Sequence, residues 1–484
     1  MAALALSYDD VMLLPASSFV LPHEVELKTR LTKKLLLNIP LVSAAMDTVT
    51  ENQAAVALAQ QGGIGIIHKN NSVQEQCSEI QKVKLFESWL VKNPIALSSN
   101  DSLEKAWKLK ETLQFSSFPV VQGKKLVGIA TRRDFLFENN PRKKVSEIMT
   151  RKVVCAPFGI SSEKAQEIMH KNRIEKLPLV NEKKELVGLI TLQDLEKKQV
   201  NPNAVKDSEG RLLVGAAIGP NDEERAIALA KAGADVLILD TSHGHSQGVV
   251  NACKKFKRLL DIPIIAGNVA TAKAVEDLHA AEADAIKVGI GGGSICTTRV
   301  ITGVGVPQFS AVLECSKQAK LYDLPVIADG GVRYSGDITK AIAAGADSVM
   351  IGSLFAGCEE TPGKIVYLSN RKFKQYRGMG SLGAMQKNRG AKERYFQGTV
   401  QEKRKLVPEG IEGVVPYKGK LSEVVFQLLG GLRAGMGLTG SATIADLRSK
   451  TQWVQITGSG LHESHPHDVL VTEEAPNYQK HSDG

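Results

Sequence analysis

Eight short apolar runs, most of them ending in glycine or a small polar residue, constrain this chain more than any other feature. They read PLVSA (40–44), GIGIIH (63–68), LLVGAAI (212–218), VLILDTS (236–242), PIIAGNVA (263–270), AIKVGIG (285–291), PVIADGG (325–331) and SVMIGS (348–353). From the third run onward, amphipathic stretches such as NDEERAIALAKAGAD and TAKAVEDLHAAEAD separate them. Apolar runs without polar alternation, spaced by such helices, are the pattern of parallel strands buried on both faces. Eight of them predict an α/β fold, a (β/α)₈ TIM barrel. An open doubly wound sheet is the competing arrangement, but no GxGxxG opens a first βα unit.

The rhythm breaks between about 90 and 203, where the chain repeats itself. FPVVQGKKLVGIATRRDF (118–135) answers LPLVNEKKELVGLITLQDL (177–195), with Gly128 matching Gly188 and Asp134 matching Asp194. An internal repeat is read as one unit. Each copy reads helix, strand, turn, strand, then a T-x-x-D step into a helix. The pair resembles a tandem CBS domain (Bateman module), which senses adenine nucleotides. That resemblance implies that Thr131, Asp134, Thr191 and Asp194 hold ribose and phosphate; the alternative is that the aspartates only cap the following helix. The expected organisation is a first barrel part at 1–90, CBS repeats at 91–148 and 149–203, and a second barrel part at 204–484 with a mobile flap at about 370–420.

At 484 residues the chain is long enough for one large domain plus a smaller one. Its net charge of +9 is spread out, with short basic clusters such as Lys403–Lys405, a balance that suits an anionic small substrate as well as a nucleic acid. Six cysteines (77, 155, 253, 296, 315, 358) form no CxxC pair, so neither a disulfide framework nor structural zinc is expected. MAALALSYDDVMLLP has no basic n-region, and no apolar run reaches the roughly 18 residues of a membrane span. A cytoplasmic enzyme is the expectation.

Barrel enzymes work at the loops after the strands and often hold phosphate after strands seven and eight. Here those loops open with Asp329-Gly330-Gly331 and Gly352-Ser353, where glycine lets backbone N–H groups approach phosphate oxygens. Asp329 is placed to accept from ribose hydroxyls. The sixth run feeds GIGGGSICTTR (289–299), in which Ser294 can meet phosphate and Cys296 has the setting of a nucleophile. The fourth run ends in DTSHGHS and the fifth in Gly267-Asn268, polar groups for a second ligand. His243, His245 and Asp240 lack a further ligand at zinc spacing. Beyond the eighth run, 370–420 reads as a lid, and Arg394-Tyr395 on it could deliver a base late in a reaction.

These motifs, in this order, closely resemble IMP dehydrogenase. The likeness runs through SAAMDTVTE (43–51), GGIGIIHKN (62–70), LDTSHGHS (239–246), GNVAT (267–271), the cysteine loop and ADGGVRYSGDI. It continues through GSLFAGCEETPG (352–363), YRGMGSLGAM (376–385), RYFQ (394–397), VPEGIEG (407–413) and ESHPHD (463–468), the last pointing to the bacterial type. The resemblance implies oxidation of IMP to XMP with NAD⁺, the committed step toward guanine nucleotides. Cys296 would form a covalent thioimidate, hydrolysed with Arg394 as base, Tyr395 assisting and Thr298 near the water. IMP would meet Met46, Ser294, Asp329, Gly331, Gly352, Ser353, Tyr376, Met379, Gly380 and Glu409. NAD would meet Asp240, Ser242, Asn268 and Gly289. A potassium ion would be bound by Gly291, Gly293 and Cys296, with Glu463, Ser464 and His465 of a neighbouring subunit, which requires a homotetramer; an octamer is left open. Gly292 stands where many members carry Pro or Ser, so a looser loop is expected. The rivals are GMP reductase, normally shorter and without the CBS pair or Arg-Tyr flap, and a nucleotide-sensing CBS scaffold without catalysis.

Overall fold

All eight apolar runs become strands of one closed parallel barrel. The computed structural model of the chain describes residues 4–478 except 87–90, 93, 114–116, 137, 193–194, 196–200, 388, 396 and 398–401. The barrel strands are β1 (Leu41–Ser43), β2 (Ile64–Ile67), β3 (Val214–Ile218), β4 (Val236–Asp240), β5 (Ile264–Val269), β6 (Ala285–Val288), β7 (Val326–Asp329) and β8 (Ser348–Ile351). They close in the order β3-β4-β5-β6-β7-β8-β1-β2, every neighbouring pair parallel. Almost every strand residue is buried, as strands walled by helices outside and side chains inside must be.

The wall is made by helices α1 (Asn52–Gln61), α2 (Val73–Phe86), α3 (Glu223–Ala232), α4 (Gln247–Leu259), α5 (Ala272–Ala280), α6 (Gln308–Lys320), α7 (Ser335–Ala343) and α8 (Leu421–Leu438). Helix α1 stops at Gly62, whose φ of 105° makes the left-handed C-cap that a β-carbon would strain. Helix α8 packs against both α7 and α1 and so fills the eighth place in the ring. The residues after β8 are therefore not all surplus to the barrel. The excursion is inserted between the eighth strand and its helix. It contains an antiparallel sheet of Ile365–Leu368, Arg371–Arg377 and Glu412–Pro416, and the short helices Leu382–Lys387 and Arg389–Arg394.

The chain divides into two compact units, the barrel unit (Met1–Phe86, Asn203–Asp207, Leu212–Gly484) and a second one (Glu87–Pro202, Ser208–Arg211). In the second unit each repeat copy forms an antiparallel pair: Phe118–Gln122 with Lys125–Ala130, and Lys176–Val180 with Leu186–Thr191. Both pairs carry a register shift at the same place, after Val120 and after Leu179. Each copy also has its own apolar core, around Phe118 and Leu103 in one and Leu177 and Met169 in the other.

Asp347, at the foot of β8, ties the ring together. Its buried carboxylate accepts from the Val326 N–H of β7 (2.9 Å) and from the Arg448 guanidinium, while its carbonyl accepts from Thr29 Oγ1 (2.6 Å). Removing one member of such a buried pair leaves the other uncompensated. Asp347→Ala should therefore cost about 3–5 kcal/mol, read as a lower urea midpoint of the barrel transition; an unchanged midpoint would contradict this role.

Candidate active site

The polar ends of four neighbouring strands meet around one buried ammonium. Lys287, in the middle of β6 and 1% exposed, reaches Asp240 Oδ1 of β4 (3.0 Å), Asp329 Oδ2 of β7 (2.7 Å) and the Asn268 Oδ1 of β5. Asn268 Nδ2 in turn donates to Asp329 Oδ2 (2.9 Å) and to the Gly289 carbonyl (2.7 Å). The three ammonium protons thus have three acceptors, the condition under which a buried charge is tolerated. Sequence reasoning missed Lys287; the signal was a charged residue inside AIKV, on a strand with no exposed face. The second oxygen of Asp240 receives the guanidinium of Arg394 from the excursion.

The cysteine loop is held at both ends. At its start, Gly289 has no room for a β-carbon, which would lie 2.0 Å from the Asp329 carbonyl. Arg299 spans the loop, donating from Nε to the Ile290 carbonyl (2.8 Å) and from a terminal nitrogen to that of Val306 (2.5 Å). Burial lowers the pKa of this guanidinium, and Cys296 opposes the effect. Past the cysteine, the Thr297 N–H donates to the Glu409 carbonyl (2.9 Å) and the Ile411 N–H to the Ile295 carbonyl (3.0 Å). Cys296 is half-buried, with Sγ 3.2 Å from Thr298 Oγ1.

Two adjoining cavities lie here, and Cys296 lines the smaller. The larger, about 270 Å³, is lined by Ser294, Asp329, Gly330, Gly331, Gly352, Ser353 and Tyr376, the glycine-rich phosphate loops of the sequence, with Met46 opposite. Tyr8, Gln308 and Arg333 also line it and were not anticipated. Burial pushes the Tyr376 phenol up to about 12, against a hydrogen bond with Ser294. The smaller cavity, about 110 Å³, brings together Cys296, Thr298, Ser242, Asn268, Gly289, Met379, Arg394, Tyr395 and Glu409, and shares Met46, Gly293, Asp329 and Tyr376 with the first. Gly380 adjoins it: its carbonyl accepts from the Glu409 N–H (3.0 Å), and a β-carbon there would lie 2.8 Å from the Tyr395 ring.

The excursion is docked into this second cavity. The Arg394 carbonyl accepts from both the Ser242 N–H (3.1 Å) and Oγ (3.0 Å). Tyr395 is enclosed; burial raises its phenol, and the Arg394 charge works the other way. Asp240 and Ser242, which the sequence assigned to a second ligand, are thus engaged by the flap.

The other expected residues lie elsewhere. Gly291 and Gly293 are in the cysteine loop, whereas Glu463 and Ser464 end the helix Gly458–Ser464, and the adjoining His465 has Nδ1 2.9 Å from the Tyr478 hydroxyl. His245 is bonded to Asp277 (2.7 Å), and among the described residues no three His, Cys, Asp or Glu side chains converge on a point. In the second unit, Thr131 N and Oγ1 donate to Asp134 Oδ2 (2.7 and 2.8 Å), so this aspartate caps the helix Arg132–Leu136. Thr191 ends its strand, and Asp194 lies outside the described residues. No helix among the described residues is long and apolar enough to cross a membrane.

Residues 5–467 match the family model of the IMP dehydrogenase / GMP reductase domain. Relatives called inosine-5'-monophosphate dehydrogenase include those of Halalkalibacterium halodurans, 52% identical over 98% of each chain, and Pasteurella multocida, 53% identical over 98% of each. The archaeal protein of Methanocaldococcus jannaschii is 52% identical over 98% of this chain and 97% of its own. A solved GMP reductase from Trypanosoma brucei, a cysteine-to-alanine variant in complex with guanosine 5'-monophosphate, superposes with a TM-score of 0.87 at 42% identity, covering 97% of this chain and 99% of its own.

The site generates one pH test. The folded chain keeps the Tyr376 proton up to about 12, while an unfolded tyrosine releases it near about 10. The stabilising contribution is therefore whole below the unfolded value and is lost as pH rises through this window. The gap in urea midpoint between wild type and Tyr376→Phe should shrink between about pH 9 and about pH 11; a constant gap would contradict the assignment.

Proposed function

The chain belongs to the IMP dehydrogenase / GMP reductase family, and from that premise we propose that it oxidises IMP to XMP with NAD⁺, the step that commits IMP to guanine nucleotides. The observation that carries this reading is that Cys296 lines the smaller cavity together with Arg394 and Tyr395, and that this cavity shares Met46, Gly293, Asp329 and Tyr376 with the larger one, where the glycine-rich loops lie. The larger cavity accepts the nucleotide. Its phosphate lies against Ser294, Gly331, Gly352, Ser353 and Tyr376, its ribose at Asp329, and its base between Met46 and the Met379, Gly380 and Glu409 backbone.

The Cys296 thiolate adds to C2 of the hypoxanthine. NAD⁺, when bound at Asp240, Ser242, Asn268 and Gly289, supplies the acceptor for the hydride that leaves C2. A thioimidate remains on Cys296. Water then attacks C2, Arg394 takes its proton with Tyr395 beside it and Thr298 near the water, and the C2–S bond breaks to release XMP and the thiolate. An arginine base is unusual, since an ordinary guanidinium holds its proton to about 12 or above. At about 110 Å³ the smaller cavity is well below the roughly 300–1,000 Å³ typical of ligand pockets. With the flap docked it suits water rather than a dinucleotide, which is the geometry of the hydrolytic half-reaction.

GMP reductase, the rival within the family, can no longer be set aside on length, because a solved example covers 97% of this chain. The arguments for IMP oxidation are the 52–53% identity to IMP dehydrogenases over nearly the whole chain and the Arg-Tyr pair beside Cys296. The same assembled pair argues against a scaffold without catalysis. The proposal extends to a potassium ion on the Gly291, Gly293 and Cys296 carbonyls, completed by Glu463, Ser464 and His465 of a neighbouring subunit in a cytoplasmic homotetramer. It also includes a CBS pair at 91–148 and 149–203 that takes adenine or guanine nucleotides at Thr131, Asp134, Thr191 and Asp194.

The test is to mix the protein with IMP, NAD⁺ and K⁺ and follow reduced nicotinamide. Wild type should turn over and Cys296→Ala should be inactive; reversed cofactor use, with NADPH and GMP consumed instead, would overturn the reading. Arg394→Ala should keep its first burst of NADH while steady-state turnover falls by about 10²–10⁴. Loss of the burst would contradict a role confined to hydrolysis.

A further inference from the structure

The flap needs a seat as well as a destination, and the loop after β2 is built as one. His68, Lys69 and Asn70 of that loop are almost wholly buried. The loop is held from below: Arg225 donates to the Asn71 carbonyl (3.1 Å) and to Gln76 Oε1 (2.5 Å), and Gln76 Nε2 reaches the carbonyls of Ile67 (3.2 Å) and Ala217 (2.9 Å). From above, two parts of the flap rest on it. Asn70 Nδ2 donates to the Ala384 carbonyl (3.2 Å) as well as to Asp47 Oδ2 (2.7 Å). Gly390, in the helix Arg389–Arg394, lies so close that a β-carbon would stand 2.4 Å from the Lys69 carbonyl oxygen and 3.2 Å from its carbon. Both atoms are backbone of a braced loop, so they cannot yield.

We propose that Asn70 and Gly390 are positioning residues for the hydrolytic half-reaction: the loop 68–71 is the platform on which the flap docks to bring Arg394 to Cys296. This rests on the two-step reading above and extends it to the residues that govern flap closure. Gly390 has no conformational need to be glycine, since its φ is not among the positive ones. In a free helix, alanine would be the better residue by about 1 kcal/mol. Only docking disfavours it. The docked flap also engages Ser242 and Asp240, so weakening the seat releases those groups to the dinucleotide, and a competing closed state lowers apparent ligand affinity by its population.

The experiment compares wild type, Gly390→Ala and Gly413→Ala as full-length chains by rapid mixing with IMP and NAD⁺. Gly413 lies in the flap's sheet, where an added β-carbon meets nothing within 4 Å, and serves as the control. Gly390→Ala should keep the NADH burst, lose about 10-fold to 100-fold in steady-state turnover, and be inhibited by NADH at lower concentration than wild type. Gly413→Ala should match wild type in all three. A Gly390→Ala enzyme that turns over like wild type, or whose burst and turnover fall together, would overturn the platform. Absence of a burst from wild type itself would instead overturn the two-step reading beneath it.

Discussion

The arrangement of this site depends on the ion cluster centred on Lys287. Four successive strands each contribute one polar end to it: Asp240, Asn268, Lys287 and Asp329. A buried ammonium is costly unless each of its protons is accepted, so the cluster is all or nothing. Satisfying it fixes the height at which β4 to β7 open into the mouth. The cysteine loop that leaves β6 and the Asp329 carboxylate that ends β7 are set by the same contacts. The second oxygen of Asp240 is not used by Lys287, and it receives Arg394.

That shared carboxylate couples barrel and flap. On the reading proposed above, Ser242 and Asp240 serve the dinucleotide, and both are engaged by the docked flap. Two occupants that use the same groups exclude one another, and the exchange is a population shift set by their relative affinities. The small Met379–Ala384–Met385–Ala391–Leu406 core, packed against Met46 and Tyr395, gives this segment a body of its own.

Much of this was legible in the sequence, for physical reasons. The barrel strands are buried on both faces, so they stand out as unbroken apolar runs, and the glycines at the ends of β7 and β8 do line a cavity. The second unit announced itself through its repeat. The rest lay in contacts between residues far apart in the chain. Lys287 was absorbed into an apolar run because its partners come from three other strands. Helix α8 is separated from β8 by the flap, so its place in the ring follows only from its packing on α7 and α1. Asn70 sat in a motif quoted only for its resemblance, yet it bonds to a residue 314 positions away. Arg299 braces the loop through carbonyls on either side of it, Ile290 and Val306, which its place at the end of the motif does not reveal.

The central claim is that Cys296 carries the substrate covalently between two half-reactions. Acid quenching of the enzyme during turnover with IMP and NAD⁺, followed by peptide mass mapping, measures this directly. The account predicts a purine nucleotide adduct on the peptide containing Cys296, and more of it in Arg394→Ala, where hydrolysis is slowed. Formation of NADH with Cys296 unmodified, or an adduct on any of the other five cysteines, would contradict it.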